Sequence, residues 1–391
     1  MNLLFYIFCF FFISINSIET TGYELVLNDR KSTLDGVTLS STETNGVTYN
    51  DGIIEITLDG TYILSGTLNG QIKVNSTGTV ILVLNNVIIK NSVSNAILFD
   101  KAYEFDTDNG VNTRPEKFID ITKAGAKIII ADGTDNIVEG SSQEKKDGAI
   151  HSDVSILITG ETKGDGILNV IGSSEGIETG KNFFFSGGIL KIAAQEDGIS
   201  ASKSLSCIII IRGGKLLINA GLSRNGDGVD SNGYILVEGG EIISAAHIRE
   251  DSGLDGSQGL IINGGIVFSV GSDMDYASSF SRQPTMNLIF NENVPSASIV
   301  TVKDSDGNEI VSFSADSADF ISGTERRAYF GAVVSHPSFK ANGVYHLFID
   351  KTQLGYTGKD TNRGFNSKGE IKSDFILGTS NTYFSGVQKV Y

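Results

Sequence analysis

Paired glycines recur along this chain at a nearly constant step, and that spacing restricts the fold more than any other feature. They stand at Gly187-Gly188, Gly213-Gly214, Gly239-Gly240 and Gly264-Gly265, successive steps of 26, 26 and 25 residues. A period of roughly 20 to 50 residues marks a repeat architecture, in which each repeat buries its apolar face against the next. Every repeat here reads as strands. Phe183-Phe184-Phe185, Ile208 to Ile211, Ile235-Leu236-Val237 and Leu260-Ile261-Ile262 precede the glycines. Ile189 to Ile192, Lys215 to Ile218, Glu241-Ile242-Ile243 and Ile266-Val267-Phe268 follow them. These β-branched and aromatic runs are too short for helices and are bounded by glycine. Four prolines in 391 residues suit ladders in which every backbone N–H is paired. The 46 glycines supply corners of positive φ. With no capped 3.6-residue periodicity along the chain, the expected fold is an all-β solenoid.

The chain opens with an unbroken apolar run, Leu3 to Ile13, too short to cross a bilayer. Residues 1–17 read as a signal peptide, although without a basic residue ahead of the apolar run, and the expected location is secreted, extracellular. Cys9 leaves with that segment, so Cys207 is a single thiol, read as a small buried hydrophobe at the start of a strand. Nothing later reaches membrane-spanning length and the tail shows neither a GPI-type nor a retention signal, so no membrane insertion is expected. With 46 acidic against 30 basic residues the net charge is −16, which argues against nucleic acid and anionic membrane surfaces as partners. An acidic ligand would have to be reached through a bridging cation or a local basic cluster.

The mature chain divides into three. Residues 18–78 read as an N-terminal cap and first coil, 79–284 as the solenoid proper, and 285–391 as a C-terminal β cap or small β unit. A charged insert from Lys101 to Lys117 interrupts the second part. In the third, Asp304-Ser305-Asp306-Gly307 between two alternating runs reads as a hairpin turn, since it lacks the twelfth-position Glu of a calcium-binding EF-hand loop.

Between the glycine pairs lies a second signature. Five rows align on an aliphatic centre: Gly148-Ala149-Ile150-His151-Ser152, Glu175-Gly176-Ile177-Glu178-Thr179, Asp197-Gly198-Ile199-Ser200-Ala201, Asp227-Gly228-Val229-Asp230-Ser231 and Ser252-Gly253-Leu254-Asp255-Gly256. Equivalent positions of a solenoid stack about 4.8 Å apart. Asp230 and Asp255 would then be neighbours, with Asp227 and Asp251 at the same corner. Stacked carboxylates splay into water, share a proton or hold a hard cation, and calcium takes six to eight oxygens of this kind. The expected calcium ligands are Asp227, Asp230, Asp251 and Asp255, with Glu175, Glu178 and Asp197 as a weaker second group; a solvated acidic turn ladder is the alternative. His151 reads as a stacked polar residue.

Several of these stretches carry a family resemblance. They are Gly60-Thr61-Tyr62-Ile63-Leu64-Ser65-Gly66, Leu82-Val83-Leu84-Asn85-Asn86-Val87, Ala131-Asp132-Gly133-Thr134-Asp135-Asn136, Ala149-Ile150-His151-Ser152 and Gly226-Asp227-Gly228-Val229-Asp230-Ser231-Asn232-Gly233. From Gly60 to about Ser272 the chain resembles the secreted carbohydrate-binding domain family of parallel β-helix proteins, best known from cellulose-degrading clostridia and similar in architecture to pectate lyases. The resemblance implies a right-handed parallel β-helix, bound calcium, affinity for cellulose-like or acidic plant polysaccharides, and no established catalysis. Gly148 departs from the family, which usually has Asp there.

Three functions follow as expectations. The first is a secreted, calcium-dependent and non-catalytic polysaccharide-binding protein, the cation bridging protein carboxylates to uronates. The chain has no Trp, so Tyr62, Tyr103, Tyr234 and Tyr276 are the available stacking rings. The second is a pectate-lyase-like eliminase, for which Arg224 and Arg249 stand just before the acidic corner. The third is a structural or adhesive cell-surface protein that uses calcium for stiffness alone.

Overall fold

The computed structural model describes residues 22–29, 31–107, 114, 115, 117–142, 146–223, 225–247, 250–319, 321, 328–356, 375–378 and 381–389. The segment read as a signal peptide lies outside them, as do Arg224 and Arg249. No helix among these residues is long and apolar enough to cross a membrane. The protein is all-β: the described helical pieces are two short 3₁₀ turns, Ile121–Lys123 and Ala315–Ala318.

The repeating part consists of three ladders of parallel strands around one apolar core. The first joins Ala126–Ile130, Ile156–Gly160, Phe183–Phe185 and Ile208–Ile211 to the leading halves of Gly60–Asn69, Val80–Lys90, Tyr234–Ala245 and Gly259–Gly271. The second joins Asp135–Gly140, Ile167–Gly172, Ile189–Ala194 and Lys215–Asn219 to the trailing halves of the same long strands. The third runs through Ile53–Ile56, Gln71–Asn75, Ile97–Lys101, Ile150–Ser152, Ile177–Thr179, Ile199–Ala201, Val229–Ser231 and Asp255–Gly256. The chain visits the three ladders in turn and then returns one rung further along. Because the pairing is in register, inward side chains pile into continuous columns. Tyr62, Leu82, Ile128, Ile158, Phe185, Ile211, Val237 and Ile262 form one, each fully buried.

The glycine pairs make the corner between the first and second ladders. The second member of each pair is left-handed, with φ of 79° at Gly188, 76° at Gly214, 88° at Gly240 and 90° at Gly265. Gly66 and Asn86 turn the corner in the earlier circuits, at φ 92° and 57°. Asparagine tolerates this region better than most residues.

Two further layers lie on the outside. Phe105, Ile119, Ile121 and Ala124, from the segment between the second and third long circuits, cover an outward column of Leu157, Phe184, Ile210, Leu236 and Ile261. The stretch read as a charged insert, Lys101 to Lys117, thus contributes Phe105 to an apolar strap that the residues after it complete. From Thr285 the pairing becomes mostly antiparallel: Ala328–Ser335 pairs with both Gly259–Gly271 and Thr285–Pro295. Val300–Asp304 and Glu309–Phe313 form the hairpin around Asp304. This region docks through Phe313, stacked on Phe268 at 4.9 Å between ring centroids.

A methyl group on Gly214 would meet Gly188 O and Phe185 Cζ, each at 2.7 Å, in addition to the left-handed strain. Gly133 is also left-handed, at φ 69°, but has open space around it. Gly214→Ala is expected to cost about 2–4 kcal/mol, and Gly133→Ala only about 1–2. Urea denaturation of the two variants measures the difference; equal losses would show that the stacked corner adds no packing constraint.

Candidate functional site: the charged column on the third ladder

The rows of the second signature fall on the third ladder with their aliphatic centres inward. Ile150, Ile177, Ile199, Val229 and Leu254 are fully buried in the core. The next residue therefore points outward, and the register stacks Leu98, His151, Glu178, Ser200, Asp230 and Asp255 in that order. The expected adjacency of Asp230 and Asp255 is present. The corner preceding the ladder brings Glu175, Asp197 and Asp227 onto successive rungs, with Ser252 next in register and Asp251 one residue before it.

Asp197 and Asp227 hold the backbone of the following circuit. Asp197 Oδ1 accepts a hydrogen bond from the Asp227 N–H at 2.8 Å, and Asp227 Oδ1 accepts from the Ser252 N–H at 2.6 Å. Each carboxylate thus does structural work whatever else it binds. Gly148, the departure in the first row, has a local cause: at φ 90°, a Cβ would lie 2.8 Å from Ile150 O and 2.9 Å from Glu178 N. An Asp does not fit there.

Along its length the column has two electrostatic characters. Its first half alternates in sign. Lys73 lies 3.3 Å from Glu55 and 3.6 Å from Asp100; Lys146 reaches Asp100 at 2.5 Å and Asp153 at 2.6 Å. His151, fully buried, turns Nε2 to Asp153 Oδ1 at 3.2 Å and Nδ1 to Glu178 Oε2 at 2.6 Å. Lys203 closes the series on Glu178 Oε1 at 3.2 Å. Burial would raise the Glu178 carboxyl, but His151 and Lys203 outweigh it and hold it below the usual range. The hydrogen bond from Lys146 does the same for Asp100. Glu178, expected in the second calcium group, is paired here with the His151 ring and the Lys203 ammonium.

Beyond Ser200 the column is anionic. Burial, with neighbouring carboxylates adding to it, pushes Asp197 up to about 7, Asp227 to about 8 and Asp230 to about 6. Glu175 is pushed to about 10 by burial and by Asp197, Glu178, Asp147 and Glu196 around it. Asp255 is raised by burial and by Asp275, with which it shares a carboxyl–carboxylate hydrogen bond. Asp275 was missed in the sequence because its surroundings, Asp273-Met274-Asp275, lack the Gly-aliphatic pattern. Glu175 Oε2 and Asp251 Oδ2 are buried without a hydrogen-bond partner, the latter 3.5 Å from His247 Nδ1. Among the described residues, no group of three or more His, Cys, Asp or Glu side chains is already gathered to hold a metal ion. The carboxylates stand in rung-to-rung pairs.

The expected stacking rings are mostly committed elsewhere. Tyr62 is buried and stacked on Tyr23 at 5.3 Å, and Tyr276 meets Tyr383 edge-on at 5.0 Å. Tyr103 is 47% exposed. Two phenylalanines that the sequence did not single out are more open: Phe118, 72% exposed under Arg212, and Phe280, 56% exposed under Arg114.

The raised carboxylates fix a pH dependence. Unfolded, they titrate near 4; folded, Asp230, Asp197 and Asp227 hold their protons up to about 6, 7 and 8. Between those limits the native state binds more protons than the unfolded one, so stability falls as pH rises. The depressed Asp100 and Glu178 act in the opposite sense only as pH drops toward and below about 4. In chelator, the melting temperature is expected to be lower at pH 8 than at pH 5.5 by roughly 2 °C or more, and Asp230→Asn to flatten the slope. A melting temperature that rises across this range would contradict the assignment.

Comparison with known proteins gives a family for the chain. Among curated proteins none matches. A solved structure described as the polysaccharide lyase-like protein from C. thermocellum, gadolinium derivative, is 22% identical, with a TM-score of 0.44 over 65% of this chain and 94% of its own. The profile of carbohydrate-binding domain-containing proteins matches residues 50–108 and 109–317, well over half of the chain and including all three ladders and the charged column. The chain belongs to the carbohydrate-binding domain-containing protein family.

Proposed function

We propose that the protein is a secreted, non-catalytic polysaccharide-binding protein whose anionic half-column takes up calcium when it engages cellulose-like or uronate-containing glycans. Membership of a carbohydrate-binding family supports polysaccharide as the partner class. The observation that carries the calcium reading is the uncompensated run of Asp197, Asp227, Asp230 and Asp255, whose carboxyls are raised by burial and by one another. Oxygen donors of this kind suit a hard cation. A bound divalent ion would neutralise them and supply a positive charge to which an acidic sugar can attach. Since the carboxylates stand in pairs, the ion would have to draw neighbouring rungs together. We read the circuits as winding right-handedly, a parallel β-helix, since that is the hand of nearly all parallel crossovers. Secretion rests on the apolar run Leu3 to Ile13.

Two measurements test this. Pull-down on cellulose, pectate and alginate, with calcium and with chelator, is expected to show binding to at least one, with retention on pectate lost in chelator and in Asp230→Asn/Asp255→Asn. Binding to none would defeat the reading. Incubation with calcium and polygalacturonate is expected to leave the ultraviolet absorbance of unsaturated uronates flat, whereas a steady rise would replace the binding-only reading by a lyase.

A further inference from the structure

The edge of the molecule where the second ladder turns into the third carries a feature that the charged column does not use. Near its N-terminal end an open trough of about 630 Å³ crosses successive turns at Gly52, Gly70 and Asn91 to Ser94 and reaches Glu139 on the next circuit. Three rung steps of roughly 4.8 Å make it about 14 Å long. We propose that this trough is a binding subsite for a neutral, hydroxyl-rich glycan, engaged without a cation. The proposal rests on the reading of the protein as a polysaccharide binder and places part of that binding outside the acidic residues.

Three observations carry it. Its lining offers partners for hydroxyl groups: the Asn69 side-chain carbonyl, the Ser92 hydroxyl, and the Lys90–Glu139 ion pair at 2.7 Å. Its walls are held in place before any ligand arrives. Asn91 Oδ1 accepts from the N–H groups of Val93 and Ser94, both at 3.1 Å, and Asn69 donates its backbone N–H and Nδ2 to the two oxygens of Asp29 at 2.6 and 2.5 Å. Preorganisation lowers the ordering cost of binding. Last, Val93 and Ile53 stand 79% and 41% exposed on an otherwise polar edge, an apolar rim against which the C–H face of a sugar ring can rest. With Asp51 and Glu139 against Lys90, the trough is weakly negative, which favours a neutral glucan over a polyuronate. The same edge continues to the acidic corner, the turns joined by Ser141 N–H to Ser94 O at 2.9 Å, Ser173 N–H to Gly140 O at 3.1 Å and Gln195 N–H to Gly172 O at 3.2 Å.

Calorimetric titration of the full chain with cellohexaose, in chelator, tests the subsite. Binding is expected for the wild type and at least roughly tenfold weaker for Ser92→Trp, which fills the trough from an exposed position. Should Ser92→Trp lower the melting temperature, Val93→Asp gives a second reading, with a loss of roughly threefold or more expected. Hexagalacturonate in chelator is expected not to bind. If the folded variants bind cellohexaose like wild type, or if the wild type binds only pectate and only with calcium, the trough is overturned while the polysaccharide reading stands. If the wild type binds no glycan under any condition, both fall.

Discussion

Everything in the repeating part depends on successive circuits meeting backbone to backbone in register, and that depends on one corner. Gly188, Gly214, Gly240 and Gly265 adopt a left-handed conformation at equivalent places, and at the last three a Cβ would lie within 3 Å of the previous circuit's backbone. Once the corner repeats, strand pairing repeats with it, and inward and outward positions are assigned for the whole length of the ladder. Core columns, the strap over Leu157 to Ile261 and the charged column on the third ladder all follow from that one alignment.

In-register stacking is favourable for aliphatic side chains and hazardous for charged ones, because it puts like on like at about 4.8 Å. The column meets this hazard differently in its two halves. From Glu55 to Lys203 it alternates acid and base, and buried His151 has a carboxylate at each ring nitrogen. From Asp230 onward no such alternation exists, and the repulsion is met by raised proton affinity and by backbone N–H groups donated to Asp197 and Asp227. Glu175, on the same rung as Glu178, bears the same cost, its proton affinity raised by burial and by the carboxylates around it.

Much of this was legible in the sequence because a period is a geometric statement. The Gly-Gly step gave the strands, and aligning the second signature by its aliphatic centre gave the neighbour relation of Asp230 and Asp255 before any coordinates. What stayed hidden were contacts that cross circuits without obeying the period. Lys146 reaches Asp100 from a loop 46 residues away, and Lys203 reaches Glu178 from outside the aligned rows, so Glu178 looked like a bare acidic residue. Asp275 follows the last row outside the pattern. Tyr62 looked like a ring for sugar stacking, whereas its position in the alternation points it inward, where Tyr23 covers it. The insert from Lys101 to Lys117 hid the strap because only Phe105 of its apolar residues lies within it, while Ile119 and Ile121 follow it.

The antiparallel strand Ala328–Ser335 lies along the last circuit, occupying the hydrogen-bonding groups of Val267 to Gly271, while Tyr23–Leu27 and Thr33–Leu34 close the opposite end over Gly60–Asn69. A stack of parallel strands with bare ends is a template onto which other chains add, the growth habit of amyloid. Here a strand of the molecule itself pairs with part of each end circuit, so along those stretches a sequence of fibre-like regularity, with runs such as Ile208-Ile209-Ile210-Ile211, offers no bare ladder to another chain.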